Sequence, residues 1–180
     1  MTRFALAIFT LLLGCRPTIA PPAAPPGVTV ASITVTSKSF SPNGPIPIDY
    51  TCDGKDAAPQ LTWSSPPENT KALAIVMDDP DAPSGTFTHW IVYNLPPDAT
   101  SIGEGVDPAT AGAKVGMNDF EAVRYGGPCP PKQQIHRYRF HLYALDAPVE
   151  LRDGANRGQI DVAMNGHVLG DGTLYGTFSH

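Results

Sequence analysis

The chain has 180 residues, of which 42% are hydrophobic and 16% are charged, and its formal net charge is −5. This composition excludes a disordered polar chain, and the acidic balance argues against nucleic-acid binding, which needs a basic surface. The 20 prolines and 17 glycines exceed average usage, so we expect many turns and few long helices.

The N-terminal residues have the pattern of an export signal. Arg3 precedes the apolar run 4–13, which is too short to span a bilayer but suits a signal peptide. The following Leu-Leu-Gly-Cys, at 12–15, is similar to the lipobox of bacterial lipoproteins, although Leu13 stands where a smaller or β-branched residue is usual. We therefore expect lipidation of Cys15, with an ordinary secretory signal cut nearby as the alternative.

Residues 15–27 contain five prolines among small side chains, so they predict a polyproline tether and cannot form a core. The predicted organisation is a signal peptide (1–14), a tether that begins at the lipidated cysteine (15–27) and one domain (28–180). We expect export to a bacterial cell envelope, where a lipid anchor would hold the domain at the membrane in the periplasm.

Cys52 and Cys129 remain as a pair if Cys15 carries lipid. An oxidising compartment favours a disulfide between them, and two buried free thiols are the alternative. The chain has no C-x-x-C motif, so neither a structural zinc site nor a thioredoxin-like centre is expected.

Short apolar segments between turn-rich stretches predict a mostly β domain. The predicted strands are Val28–Val35, Leu61–Trp63, Ala72–Met77, His89–Leu95, Tyr138–Leu145 and Thr173–Phe178. The uninterrupted apolar run 72–77 predicts a strand that is covered on both faces, and residues 98–119 show no periodicity and predict a long loop. A helical pattern runs from Ile160 to Val168 and stops at Gly170. This arrangement indicates an all-β fold, an antiparallel β-sandwich with one or two short helices near the C-terminus.

Two proline- and glycine-rich segments each precede a histidine that enters an apolar strand. Asp79-Pro80-Asp81-Ala82-Pro83 precedes His89, and the segment 126–131 precedes His136, which is in phase with the apolar face of its strand. We predict that they meet at one polar pocket. The alternatives are that Asp79 and Asp81 only cap turns and that His89 is a core histidine. The chain lacks the G-x-S-x-G and H-E-x-x-H patterns and the spacing of a calcium loop, so we expect no enzyme, no metal and no cofactor.

The ordered motifs resemble the phosphatidylethanolamine-binding protein family, in the bacterial branch called Raf kinase inhibitor-like. They are Tyr50-Thr51-Cys52-Asp53-Gly54, Leu61-Thr62-Trp63, Asp79-Pro80-Asp81-Ala82-Pro83, His89-Trp90, Met117-Asn118-Asp119-Phe120, Tyr125-Gly126-Gly127-Pro128-Cys129-Pro130-Pro131, His136-Arg137-Tyr138 and Gly176-Thr177-Phe178. The resemblance implies a β-sandwich with a small cavity for phosphate, acetate, cacodylate or a phospholipid headgroup. By motif position the cavity would be built from Asp79, Pro80, Asp81, His89, Gly127, Pro128, His136 and Tyr138.

In this reading, the carboxylates orient the histidines, and the imidazole N–H groups, the Tyr138 hydroxyl and backbone N–H groups near Gly127 donate to the anion. The expected function is non-enzymatic binding of a small anion or headgroup. The alternative is a protein-binding inhibitor or regulator of a protease or kinase-like partner, and a homodimer is left open. Gln133 and Gln134 follow Lys132, where relatives usually have a glycine after the lysine, so we expect a loop of different shape before His136.

Overall fold

The computed structural model describes residues 21–180, so the predicted signal peptide and Cys15 lie outside the described residues. From residue 21 onward, the predicted tether lies against the domain. The N–H of Ala23 donates to the side-chain oxygen of Asn165 at 3.1 Å, and the carbonyl of Ala23 accepts from the N–H of Gly166 at 2.9 Å. No helix within residues 21–180 has the length and apolar character that crossing a membrane requires.

The domain is an all-β fold of two sheets and one short α-helix near the C-terminus. The first sheet has the order β1-β9-β8-β4-β5-β7, in which only β1 and β9 are parallel, and the second has the order β2-β3-β6. The elements are β1 (Ala31–Ser32), β2 (Val35–Thr36), β3 (Leu61–Trp63), β4 (Ala72–Asp79), β5 (Phe87–Leu95), β6 (Ser101–Ile102), β7 (Lys114–Val115), β8 (His136–Leu145), α1 (Arg157–Met164) and β9 (Val168–Phe178).

Strand β4 is central to the larger sheet and is buried along its whole length. Leu73, Ile75 and Met77 pack in the core shared with the second sheet, whereas Ala74 and Val76 pack in the cluster that contains Ile160 and Met164 of α1. Cover on both faces explains why this strand has an uninterrupted apolar sequence. On β8 the predicted alternating face, Tyr138, Phe140, Leu142 and Ala144, lies entirely in the core between the sheets.

Several predicted elements differ from the observed ones, and the last strand begins at Val168 instead of the predicted Thr173. The strand predicted over Val28–Val35 is two short strands in different sheets, because the chain crosses between the sheets at Ile33 and Thr34. The N–H of Ile33 donates to Asp171 in one sheet at 2.7 Å, and the carbonyl of Thr34 accepts from Ser64 at 3.0 Å. A single alternating pattern cannot reveal such a crossing, since both short strands keep the period of two.

The predicted helix ends at Met164 instead of continuing to Val168, because Gly166 has a φ of +86° and the chain turns into β9. The predicted loop 98–119 contains β6, β7 and a 3₁₀ helix, Pro108–Ala111. These elements are too short to produce a recognisable period in the sequence.

A disulfide joins Cys52 to Cys129 across a sequence separation of 77 residues. It connects the turn after the 3₁₀ helix Ile48–Tyr50 to the segment 126–131. A backbone hydrogen bond of 3.1 Å from the N–H of Cys52 to the carbonyl of Pro128 strengthens the same connection.

Candidate functional site

A cavity of about 320 Å³ lies where three strands of the larger sheet meet. Strand β4 is antiparallel to both β5 and β8, so its last residue, Asp79, lies beside the first residues of these neighbours. The sheet topology therefore brings Asp79, His89 and His136 together. The lining residues are Asp79, Ala82, Pro83, Ser84, Phe87, His89, Phe120, Cys129, Pro130, Pro131 and His136.

Asp79 and His136 form a buried pair at the wall of this cavity. The distance from Asp79 Oδ2 to His136 Nδ1 is 2.6 Å, and the side chains are 5% and 3% exposed. A carboxylate can only accept, so Nδ1 carries the hydrogen of this bond. The other oxygen, Oδ1, accepts from the N–H of Asp81 at 2.8 Å. The carboxylate thus holds the ring in one orientation and leaves Nε2 of His136 as its second polar atom.

His89 also donates from Nδ1, but its Nε2 offers a ligand an acceptor. Its Nδ1 lies 2.8 Å from the carbonyl of Gly126, which only accepts, so Nδ1 donates. Burial lowers the pKa of His89 below the ordinary 6.5, against the attraction of Asp79. A neutral His89 has its lone pair on Nε2, so this nitrogen is an acceptor. The ring packs against Phe87, Phe120 and Tyr138, with centroid distances of 5.1 to 5.4 Å.

Tyr138 packs against His89 and is fully buried, and it is not among the residues that line the cavity. Its ring meets the edge of His89, and within residues 21–180 its hydroxyl is the one buried side-chain polar atom without a hydrogen-bond partner. Burial, followed by the charge of Asp79, raises the pKa of Tyr138. The hydroxyl therefore keeps its hydrogen, although the neighbouring backbone of Cys129 acts to lower this pKa. A buried polar atom without a partner in the protein needs an explanation, such as a bound water or ligand.

The remaining predicted residues support the cavity without lining it. Asp81 accepts two hydrogen bonds from the Arg137 guanidinium, at 2.8 and 2.7 Å, which hold the pKa of Asp81 at about 2. The Gly127 N–H, expected to donate to a ligand, instead donates to Asp56 at 2.5 Å. A side chain at Gly127 would meet the carbonyl of Tyr50 at 2.4 Å, so only glycine fits. Pro128 accepts the bond from Cys52, and Pro80 belongs to the turn after β4.

Two contributions were missed by sequence reasoning. Phe87 and Phe120 make an apolar wall, with their rings 4.7 Å apart, and Phe120 could have been noticed within the Asn118-Asp119-Phe120 motif. Gln134 Oε1 lies 3.1 Å from Nε2 of His136. Gln133, which stands where the resemblance expects glycine, has a φ of +65°, a backbone conformation that glycine adopts readily.

Two histidines, the buried His89 and the partly buried His141, predict a pH-dependent stability. Burial lowers the pKa of both His89 and His141, so below pH about 6.5 the unfolded chain binds more protons than the folded one. The free energy of unfolding should therefore have its full value above that pH and decrease as the pH falls below it, through the lowered pKa values of the folded state. Urea unfolding at several pH values measures this slope, and His141→Gln should reduce it. A free energy that is constant or increases over this range would contradict the assignment.

The fold and the buried Asp–His pair define a class of two-sheet proteins with a small cavity at the end of the larger sheet. The profile of the family described as phosphatidylethanolamine-binding protein matches residues 36–179. The chain is 44% identical over 149 residues to a UPF0098 protein of Methanothermobacter thermautotrophicus, which covers 81% of this chain and 98% of that protein. A Mycobacterium tuberculosis relative that bears a lipoprotein name, LppC, is 39% identical over 154 residues, which are 85% of this chain and 75% of that protein.

Solved structures of similar proteins have the same fold. A homologue from Chlamydia trachomatis, CT736, has a TM-score of 0.77 at 36% identity and covers 83% of this chain and 98% of that chain. YbcL of Escherichia coli has a TM-score of 0.77 at 28% identity and covers 83% and 99%. The chain belongs to the phosphatidylethanolamine-binding protein family.

Proposed function

We propose that the protein binds a small phosphate-type anion, free or as a phospholipid headgroup, in the cavity between Asp79, His89 and His136, and that it catalyses no reaction on it. The observation that carries the proposal is the buried Asp79–His136 pair. Asp79 holds Nδ1, so a protonated His136, whose charge Asp79 would balance, would present Nε2–H as a preoriented donor to an anionic oxygen. The Tyr138 hydroxyl is the proposed second donor, because it is buried without a hydrogen-bond partner within residues 21–180 and its ring packs against His89.

The acceptor nitrogen of His89, Nε2, restricts the kinds of ligand that fit the cavity. A neutral His89 needs a group that donates a hydrogen, whereas His136 and Tyr138 need oxygens that accept one. Hydrogen phosphate and phosphate monoesters have both kinds of group. A phosphatidylethanolamine headgroup offers the same combination through its phosphate oxygens and its ammonium.

Removing the imidazole of His136 should weaken binding strongly. We expect His136→Ala to lower the affinity for inorganic phosphate at least tenfold, because a charge-assisted hydrogen bond is lost and Asp79 is left as an unpaired buried carboxylate. Isothermal titration calorimetry with inorganic phosphate measures the change. Asp79→Asn should act in the same direction, because the imidazolium loses its counter-charge.

His167→Ala is the matched control, since His167 also pairs with an aspartate, Asp146 at 2.7 Å, but lies more exposed at the other end of β9. It should leave the affinity unchanged. Sulfate carries no proton near neutral pH and should bind at least tenfold more weakly than phosphate. Equal phosphate affinities in the wild type, His136→Ala and Asp79→Asn would refute the site.

A second candidate is a protein-binding inhibitor or regulator of a protease or kinase-like partner. One observation favours it: a further cavity, of about 370 Å³, lies beside the segment 98–119, and Val106 and Val123, which line it, are 42% and 49% exposed. Retention of a periplasmic protease or kinase-like protein on the immobilised domain, unaffected by phosphate, would favour this candidate over the anion site.

We also propose attachment to the cell envelope through lipid on Cys15. The lipobox-like sequence at 12–15 supports this, as does the lipoprotein name of the mycobacterial relative.

A further inference from the structure

Gln134 lies in a tight turn immediately before β8. The N–H of Gln134 donates to the carbonyl of Pro131 at 3.2 Å, and Gln133 between them adopts a left-handed backbone with a φ of +65°. Non-glycine residues seldom adopt this conformation. Its effect is to reverse the chain so that the side chain of Gln134, two residues before His136, reaches back to the imidazole.

The carboxamide of Gln134 contacts Nε2 of His136, the ring nitrogen that a ligand would need. Nδ1 of His136 is committed to Asp79 at 2.6 Å, so Nε2 is the ring nitrogen that remains, and Gln134 Oε1 lies 3.1 Å from it. His136 is buried, but Gln134 itself is exposed. The cost of moving this side chain into solvent is therefore small, because water can replace its hydrogen bond.

A carboxamide is a neutral counterpart of a phosphate oxygen at this position. Its oxygen accepts from Nε2–H, and after a flip of the amide its NH₂ group donates to a bare Nε2. Gln134 thus satisfies His136 in either protonation state. A charged phosphate oxygen makes the stronger bond to Nε2–H, because charge-assisted hydrogen bonds are about twice as strong as neutral ones.

We propose that Gln134 is an internal competitor: its side chain caps His136 in the free protein and must leave when the anion binds. This proposal rests on the proposed function. The cap reduces the affinity for every ligand, because its hydrogen bond to His136 must be broken first. Only a ligand with a charged oxygen makes a hydrogen bond strong enough to offset that cost. Neutral acceptors such as alcohols or amides are thereby excluded from the site. Gln134 is a specificity-determining residue that acts by occupying Nε2 of His136.

Two substitutions at this position should act in opposite directions. Removing the competitor in Gln134→Ala should tighten inorganic phosphate binding about three- to tenfold, the factor expected for one neutral hydrogen bond. Gln134→Glu should weaken it at least tenfold, because a carboxylate pairs more strongly with the imidazolium and repels phosphate. Gln133→Asn is the matched control: it lies in the same turn and asparagine tolerates the left-handed backbone, so the affinity should not change.

Titration calorimetry with inorganic phosphate measures these affinities. The ¹⁵N chemical shift of His136 Nε2, recorded without phosphate, tests the cap directly and should change in Gln134→Ala but not in Gln133→Asn. An affinity that is equal to or weaker than wild type in Gln134→Ala would overturn the competitor role. If neither the wild type nor any variant binds phosphate, the proposed function fails. The cap is refuted separately, by a ¹⁵N shift of Nε2 that is the same in Gln134→Ala as in the wild type.

Discussion

The double variant Cys52→Ser/Cys129→Ser should have a free energy of unfolding about 4 kcal/mol lower than that of the wild type. The bond closes a loop with a sequence separation of 77 residues, and without it the unfolded chain regains that conformational freedom. Urea unfolding, followed by tryptophan fluorescence, measures the difference.

Loss of the disulfide should also weaken phosphate binding. Cys129 lines the cavity, and the same segment supplies the Gly126 carbonyl that orients His89. Treating the wild type with a dithiol should reproduce the loss of stability, whereas the double serine variant should be insensitive to the reagent. A variant as stable as the wild type would show that the other contacts of the segment, such as that between Asp56 and Gly127, hold it in place without the bond.

Asp78→Asn should destabilise the fold by about 3 kcal/mol, because it removes the charge of a buried carboxylate that two partly buried arginines share. Asp78 is 1% exposed. Its two oxygens accept from Arg139 Nε at 2.6 Å and from the Arg157 guanidinium at 3.0 Å, and Arg157 also pairs with Asp161 at 2.8 Å. The carboxylate thereby connects β4 to β8 and to α1, and its loss should loosen the end of β4 that carries Asp79.

Asp81→Asn is the matched control for this prediction. Its pair with Arg137 has a distance of 2.7 Å, but that arginine side chain is 62% exposed. Solvent screens such a pair, so the cost should stay below about 1 kcal/mol. Chemical unfolding of both variants under the same conditions compares them. Equal losses would contradict the view that burial makes the Asp78 network the stronger one.

Local patterns were sufficient for the long strands β4 and β8 and for half of the candidate site. The alternation along β8 predicted that His136 points into the sandwich, and the apolar run 72–77 predicted a strand covered on both faces. Both inferences use only the period of side chains along one strand, which depends on neighbouring residues. The two loops that contain proline were predicted to meet, and sheet topology explains why, since β5 and β8 both flank β4.

The hydrogen-bond partners of individual polar groups could not be inferred from local patterns. Gly127 donates to Asp56, which is 71 residues away, and Asp81 accepts from Arg137, which is 56 residues away. Gly127 was predicted to donate to the ligand and Asp81 to orient a histidine at the cavity, and both have other protein partners instead. A polar group is used by whichever partner the packing brings within about 3 Å, and nothing in the local sequence announces that partner.

By itself the sequence determined that this is a β-sandwich, that an aspartate and two histidines stand at strand ends, and that Cys52 and Cys129 are two cysteines of the folded domain. Only the tertiary structure decided that the cysteines form a disulfide, which imidazole nitrogen remains for a ligand, and that Gln134 covers it. The physical reason is one of range. Strand periodicity comes from the backbone of consecutive residues, whereas hydrogen-bond partners and cysteine pairing depend on sheet register and loop crossings between distant segments.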